Sequence, residues 1–101
     1  MKLYILVRRD MSMSQIAVQA GHSVGEWVKT FPCSAVTDWN NTLVYLGVSD
    51  EAELNSWKDL LFTVEEKCIE WREGYWDNSL TSIGVLGTPL VQQYVKTLKL
   101  I

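Results

Sequence analysis

The run Leu3-Tyr4-Ile5-Leu6-Val7, broken off by Arg8-Arg9-Asp10, limits the fold more than any other stretch of this chain. Successive strand side chains point to opposite faces, so a strand that is apolar at every position has to be covered on both. The run predicts a central strand over residues 3–7 between two helical layers. It is too short for the apolar segment of a signal peptide, and no stretch approaches the roughly 18 apolar residues that span a membrane. A soluble cytoplasmic protein without a membrane partner is expected. Cys33 and Cys68 stand far apart in no CxxC or metal-type spacing, which predicts reduced thiols and no metal site.

Downstream of this strand, Ile16, Ala20, Val24, Trp27 and Phe31 recur at helical spacing, while Gln15, Gln19, His22 and Glu26 fall on another face. Ser12 or Ser14 is placed to cap the start of this helix, and Pro32 stops it near Thr30. Residues 32–41 read as a loop, residues 43–48 as a second strand. Asp50 and Glu53 have capping-box spacing at the head of a second helix, whose apolar face carries Leu54, Trp57, Leu60, Leu61 and Val64. Residues 68–72 read as a third strand, 73–79 as a polar loop and 80–86 as a fourth strand. Pro89 opens a last helix running to about Leu98. The order βαβαββα over 101 residues predicts one α/β domain, 1–101: a three-layer fold with a four-stranded sheet flanked by three helices.

Ligands of open α/β sheets bind beyond the carboxyl ends of the strands. The first strand ends in Arg8, Arg9 and Asp10, close to Ser12, Ser14 and the free N–H groups of the following helix. That corner suits a phosphate or a developing oxyanion, unless Arg8 and Asp10 merely form a surface ion pair. A second polar cluster runs from Arg72 and Glu73 through the loop to Thr81, with His22, the only histidine, on the polar helix face. The net charge of −3 excludes a generally basic nucleic-acid binder. Any RNA contact has to come from a local patch, such as Arg8, Arg9, Arg72 and Lys99 gathered on one surface.

Two stretches resemble a known family. Leu6-Val7-Arg8-Arg9-Asp10 followed by Ile16-Ala17-Val18-Gln19-Ala20-Gly21-His22-Ser23 is similar to the V-V-R-x-D and I-A-A-Q-x-x-H-A motifs of type 2 peptidyl-tRNA hydrolases. Arg72-Glu73 resembles that family's R-D, Leu80-Thr81-Ser82-Ile83 its T-V-x-x strand, and Leu98-Lys99-Leu100-Ile101 its closing L-K-L-L. The resemblance implies a carboxylic ester hydrolase that frees tRNA from peptidyl-tRNA without cofactor or metal. It places Arg8, Asp10, Gln19, His22, Glu73 and Thr81 around the site. Either carboxylate would orient water, and Thr81 or the helix N–H groups would meet the oxyanion. The turn Met11-Ser12-Met13-Ser14-Gln15 lacks the family's lysine, which Arg9 would replace, and Glu73 stands where most members carry aspartate. A silent relative that binds tRNA or another phosphate ligand, and a homodimeric interaction module using Trp39 or Trp76, are the alternative functions. The resemblance also sets a geometric condition: Asp10 and Thr81 share a site only if the fourth strand runs antiparallel to the first, in the order 2-1-4-3.

Overall fold

The structure, a computed structural model, describes residues 1–101. It consists of β1 (Leu3–Arg8), α1 (Met13–Thr30), α2 (Pro32–Thr37), β2 (Leu43–Val48), α3 (Glu51–Val64), β3 (Cys68–Glu73), a 3-10 turn (Gly74–Trp76), β4 (Ser79–Leu86), α4 (Pro89–Val95) and β5 (Lys99–Leu100). The sheet is mixed, in the order β3-β4-β1-β2-β5. Strand β4 is antiparallel to both β1 and β3, while β1 and β2 are parallel. The geometric condition is therefore met, but the sheet has five strands rather than four. Strand β5 pairs with β2 through Leu46–Leu100 and Gly47–Lys99. Two residues carry no hydrophobic period, so nothing in the sequence announces this strand.

What holds β5 in place also answers the question of Arg9. Its Nη2 donates to the carbonyls of Lys99 (3.3 Å) and Leu100 (2.7 Å). The guanidinium lies flat across Gly47, where any Cβ would collide with it. Arg9 fastens the sheet edge, and its Nη2 is engaged there.

Three further expectations are corrected. The loop 32–41 contains α2, with Pro32 at its first helical position, where a missing N–H costs nothing. The last helix ends at Val95. Strand β3 reaches Glu73, and the turn that follows is closed by Asp77 and Asn78 at φ 50° and 62°. Both central residues of a tight hairpin turn of this hand need positive φ, which Asp and Asn tolerate best among non-glycine residues.

Helix α1 starts as expected: Ser12 is its N-cap and accepts from Gln15 N–H. Asp50 caps α3 by accepting from Glu53 N–H at 2.9 Å, and Glu53 reaches back to Ser49 N–H at 2.8 Å. The apolar stripes of the helices bury against opposite faces of the sheet. On one face, Leu3, Ile5, Ala20, Trp27, Ile69 and Leu86 form a core under α1 and α2. On the other, Leu6, Leu46, Leu54, Leu61, Ile83 and Val91 are among the residues packed under α3 and α4. Trp39 is half-buried, edge-on to Trp27 with ring centroids 6.2 Å apart, and donates to Thr42 O. It is not an exposed docking aromatic. Cys68 is buried and its thiol is pushed up to about 12 by desolvation, whereas Cys33 is exposed; both are free. No helix is long and apolar enough to cross a membrane.

One irregularity positions the site. Trp71 pairs with Ser82 but Arg72 pairs with Leu80, so Thr81 is an extra residue on β4. Such a bulge turns the strand locally. Leu80 and Ile83 reach the α3 side, while both Thr81 and Ser82 face α1 and bond to Gln19.

Candidate functional site

A cleft of about 310 Å³ opens where β1 ends and α1 begins, and one of about 320 Å³ lies between α1 and the 3-10 turn after β3, with Gln15 and Trp76 shared between them. In one of them, Arg8 makes a two-pronged pair with Asp10, Nε–Oδ1 and Nη2–Oδ2 each 2.9 Å. Arg8 Nη1 also donates to Leu80 O at 3.2 Å, and Glu51 Oε1 stands 4.0 Å away. Glu51 itself accepts the Leu80 N–H at 2.8 Å. The guanidinium is thus clamped between two carboxylates at the head of β4. Its hydrogen bond holds the Asp10 carboxyl below the usual carboxylate range, and Asp10 in turn raises Arg8. The surface ion pair is real, and it forms one wall of a cleft that also includes Ser12 and Ser79.

The second cleft is built around a relay of side chains. Thr81 Oγ1 donates to Gln19 Oε1 at 2.8 Å, and Gln19 Nε2 donates to Glu73 Oε2 at 3.2 Å. The carboxylate accepts only, so it fixes which way the Gln19 amide points. Thr81 and Gln19 are buried, 0% and 2% exposed. The Thr81 hydroxyl is engaged by Gln19 Oε1, with Trp71 O a longer acceptor at 3.3 Å. His22 is the exposed end of the relay, with Nδ1 3.8 Å from Glu73 Oε2 and its ring 4.6 Å from that of Trp71. Ser82 Oγ donates to Gln19 O at 2.8 Å and pairs with Ser23, pinning α1 to β4. Gln19 therefore cannot slide along the strand.

Glu73 is held ionised below the ordinary carboxylate range, first by the Gln19 amide and then by the Tyr75 N–H. Trp71 Nε1, buried and without a hydrogen bond of good geometry, adds a weaker electrostatic pull. Asp38 and Glu53 are lowered in the same sense by their hydrogen bonds. The unfolded chain would take up protons at these positions before the folded one. Their stabilisation is complete above the ordinary values of 3.8 and 4.5 and is lost as the pH falls through the depressed folded ones. Urea midpoints should stay level from pH 7 to about 5 and fall below it. Asp10→Asn should flatten part of that fall; an unchanged acid limb would mean the Arg8 pair contributes nothing.

The expected residues divide into three groups. Gln19, His22, Glu73 and Thr81 come together in the relay. Arg8, Asp10 and Ser12 line the neighbouring cleft, so the two carboxylates Asp10 and Glu73 face adjoining spaces rather than one. Arg9, Ser14 and Arg72 lie outside both. Arg72 is spent on Glu70 Oε2 at 3.2 Å and Asn78 O at 3.3 Å, and Lys58 stands 3.5 Å from the same Glu70 oxygen. Gln15, Tyr75, Trp76 and Glu51 also belong to the site. Gln15 was legible, being one turn before Gln19 on the same face; the other three depend on how β3, α3 and β4 meet. No group of three or more His, Cys, Asp or Glu side chains is arranged to hold a metal ion.

A family model described as peptidyl-tRNA hydrolase PTH2 matches residues 1–101, the whole chain. No curated protein matches it.

Proposed function

The chain belongs to the peptidyl-tRNA hydrolase PTH2 family, and on that premise we propose that it hydrolyses the ester between a peptide and the terminal ribose of tRNA. The observation that supports this best is the relay from buried Thr81 through Gln19 and Glu73 to exposed His22. Ester hydrolysis needs a proton acceptor for water, a donor for the carbonyl oxygen and a proton for the departing ribose oxygen. His22 takes the proton from a water that attacks the ester carbonyl, and Glu73 stabilises the resulting imidazolium. The tetrahedral adduct collapses, the bond from carbon to ribose oxygen breaks, and His22 returns the proton to that oxygen. The products are a free ribose hydroxyl and a peptide carboxylic acid, which gives its remaining proton to water to become the carboxylate. Thr81 and Gln19 are positioning residues that hold Glu73.

Of the residues that open α1, Gln15 lines the cleft that holds His22, and Met13 and Ser14 do not. Gln15, whose side-chain amide makes no bond within the protein and borders both clefts, is the donor assigned to the oxyanion. Arg8 and Asp10 line the adjoining space for the rest of the substrate. Such a substrate places the protein in the cytoplasm, where translation supplies it.

Purified peptidyl-tRNA is the test. Wild type should release both peptide and uncharged tRNA, and Asp10→Ala should mainly raise KM. Full turnover in both Asp10→Ala and Glu73→Ala would remove the carboxylate assignment. Binding without any turnover by wild type would favour a silent relative. The absence of lysine between residues 11 and 15 and the engagement of Arg9 with β5 are the observations on that side.

A further inference from the structure

We infer that the Glu73–His22 cleft takes the terminal adenosine of the substrate with its base against Tyr75 and Trp76, and that this stacking, not neutralisation of phosphates, supplies most of the affinity. The inference rests on the ester-hydrolase assignment of the same cleft. Its first support is the placement of Tyr75, 95% exposed beside the proton-handling pair. An aromatic side chain so exposed contributes little to folding, yet the backbone that carries it is held. The 3-10 turn that presents it is closed by two left-handed residues, and its N–H bonds to Glu73 Oε1. Trp76 and Val18, the latter 47% exposed, line the same cleft as His22. Every nucleobase has a π-face, and stacking on an aromatic side chain contributes about 1–3 kcal/mol per base.

The second support is where the cations are. Arg8 is neutralised by Asp10 and Lys67 by Asp38, Arg72 and Lys58 share the one carboxylate of Glu70, and Arg9 is tied to the β5 carbonyls. Lys2 precedes β1 and Lys29 lies in the last turn of α1, both at the far end of the sheet from the clefts. Lys96 and Lys99 belong to the α4–β5 segment at the opposite edge from β3. No uncommitted Lys or Arg lines either cleft. The clefts also sit at the small end of the roughly 300–1,000 Å³ range of small-molecule sites. They match a nucleoside with its acyl group and leave the helical stem of a tRNA outside.

Three substrates separate the outcomes: peptidyl-tRNA, the N-acetylphenylalanyl ester of adenosine, and the same acyl group on methyl riboside, which keeps the sugar and lacks the base. The adenosine ester should be cleaved with kcat/KM within about tenfold of peptidyl-tRNA. The riboside ester should be cleaved between about fivefold and a hundredfold more slowly, the range that stacking implies. Tyr75→Ala should erase most of that difference by raising KM severalfold more for the adenosine ester than for the riboside ester. Raising salt from 50 to 200 mM should raise KM for peptidyl-tRNA no more than about threefold, the effect of a single phosphate contact on a single strand.

Cleavage of peptidyl-tRNA with an inert adenosine ester, a rise in KM of a hundredfold or more with salt, or equal rates on the two small esters would overturn the inference and leave the hydrolase assignment standing. Failure on all three substrates would overturn both.

Discussion

Glu73→Ala lowers kcat/KM for peptidyl-tRNA by about 10²–10⁴-fold, the usual contribution of a positioned proton-transfer pair. The loss falls on kcat, because the carboxylate matters only once His22 carries the proton. Glu73→Gln should lose nearly as much: it keeps the shape but has no charge to stabilise the His22 imidazolium, and its own NH2 must face either the Gln19 amide or the Tyr75 N–H. Glu73→Asp is the instructive control. Aspartate is the residue that resemblance to the family leads one to expect at this position, yet shortening this side chain draws the carboxylate back from both Gln19 and His22. A displacement of about 1 Å at a reacting centre costs on the order of a hundredfold. Single-turnover rates with thermal midpoints of each variant check the prediction. A Glu73→Asp enzyme as fast as wild type would show that the extra methylene does not set the geometry of the relay.

Trp27→Ala is the substitution expected to damage the fold most. Trp27 is fully buried at the centre of the α1 face, with Phe31 5.7 Å away and Trp39 6.2 Å away. Its Nε1 donates to Lys67 O at 2.9 Å, tying the helix to the start of β3. Removing it leaves a cavity and takes one of two donors from Lys67 O, which keeps the Leu86 N–H at 3.2 Å, at a cost of about 3–5 kcal/mol. A domain of this size has a total stability on the order of 5–15 kcal/mol, so the variant stands near the edge of folding. A fall in melting temperature on the order of 20 °C should follow. Trp27→Phe keeps most of the volume and loses the hydrogen bond, and should cost less than half as much. Equal losses in the two variants would put the stability in the hydrogen bond instead of the packing.

Much of this architecture is local in origin, and that part was readable. The all-apolar run at residues 3–7 required two covering layers, and Leu3 and Leu6 bury against opposite ones. Ser12 and Asp50 cap the helices they precede, because an N-cap needs only a neighbouring side chain and free N–H groups. The stripe Gln19–His22 and the residues Glu73 and Thr81 were nameable from residue type and motif resemblance. Val24, expected to belong to the buried stripe with Trp27, is only half-buried, whereas the polar Gln19 and Ser23 are buried. The relay to Thr81, Glu73 and Ser82 supplies the hydrogen bonds that let polar atoms leave water.

What the sequence settled by itself is the longer elements, though not α2 or β5, together with the caps and the two-sided burial of β1, since periodicity and capping act within a few residues. Partnership between distant residues was decided only by the tertiary structure. The bulge at Thr81 turns that hydroxyl to Gln19, the β5 carbonyls draw Arg9 off the site, and Glu70 takes Arg72. A charged or polar group bonds with whatever the packed chain brings within about 3 Å of it, and chain packing, unlike helical period, is a property of all the residues together.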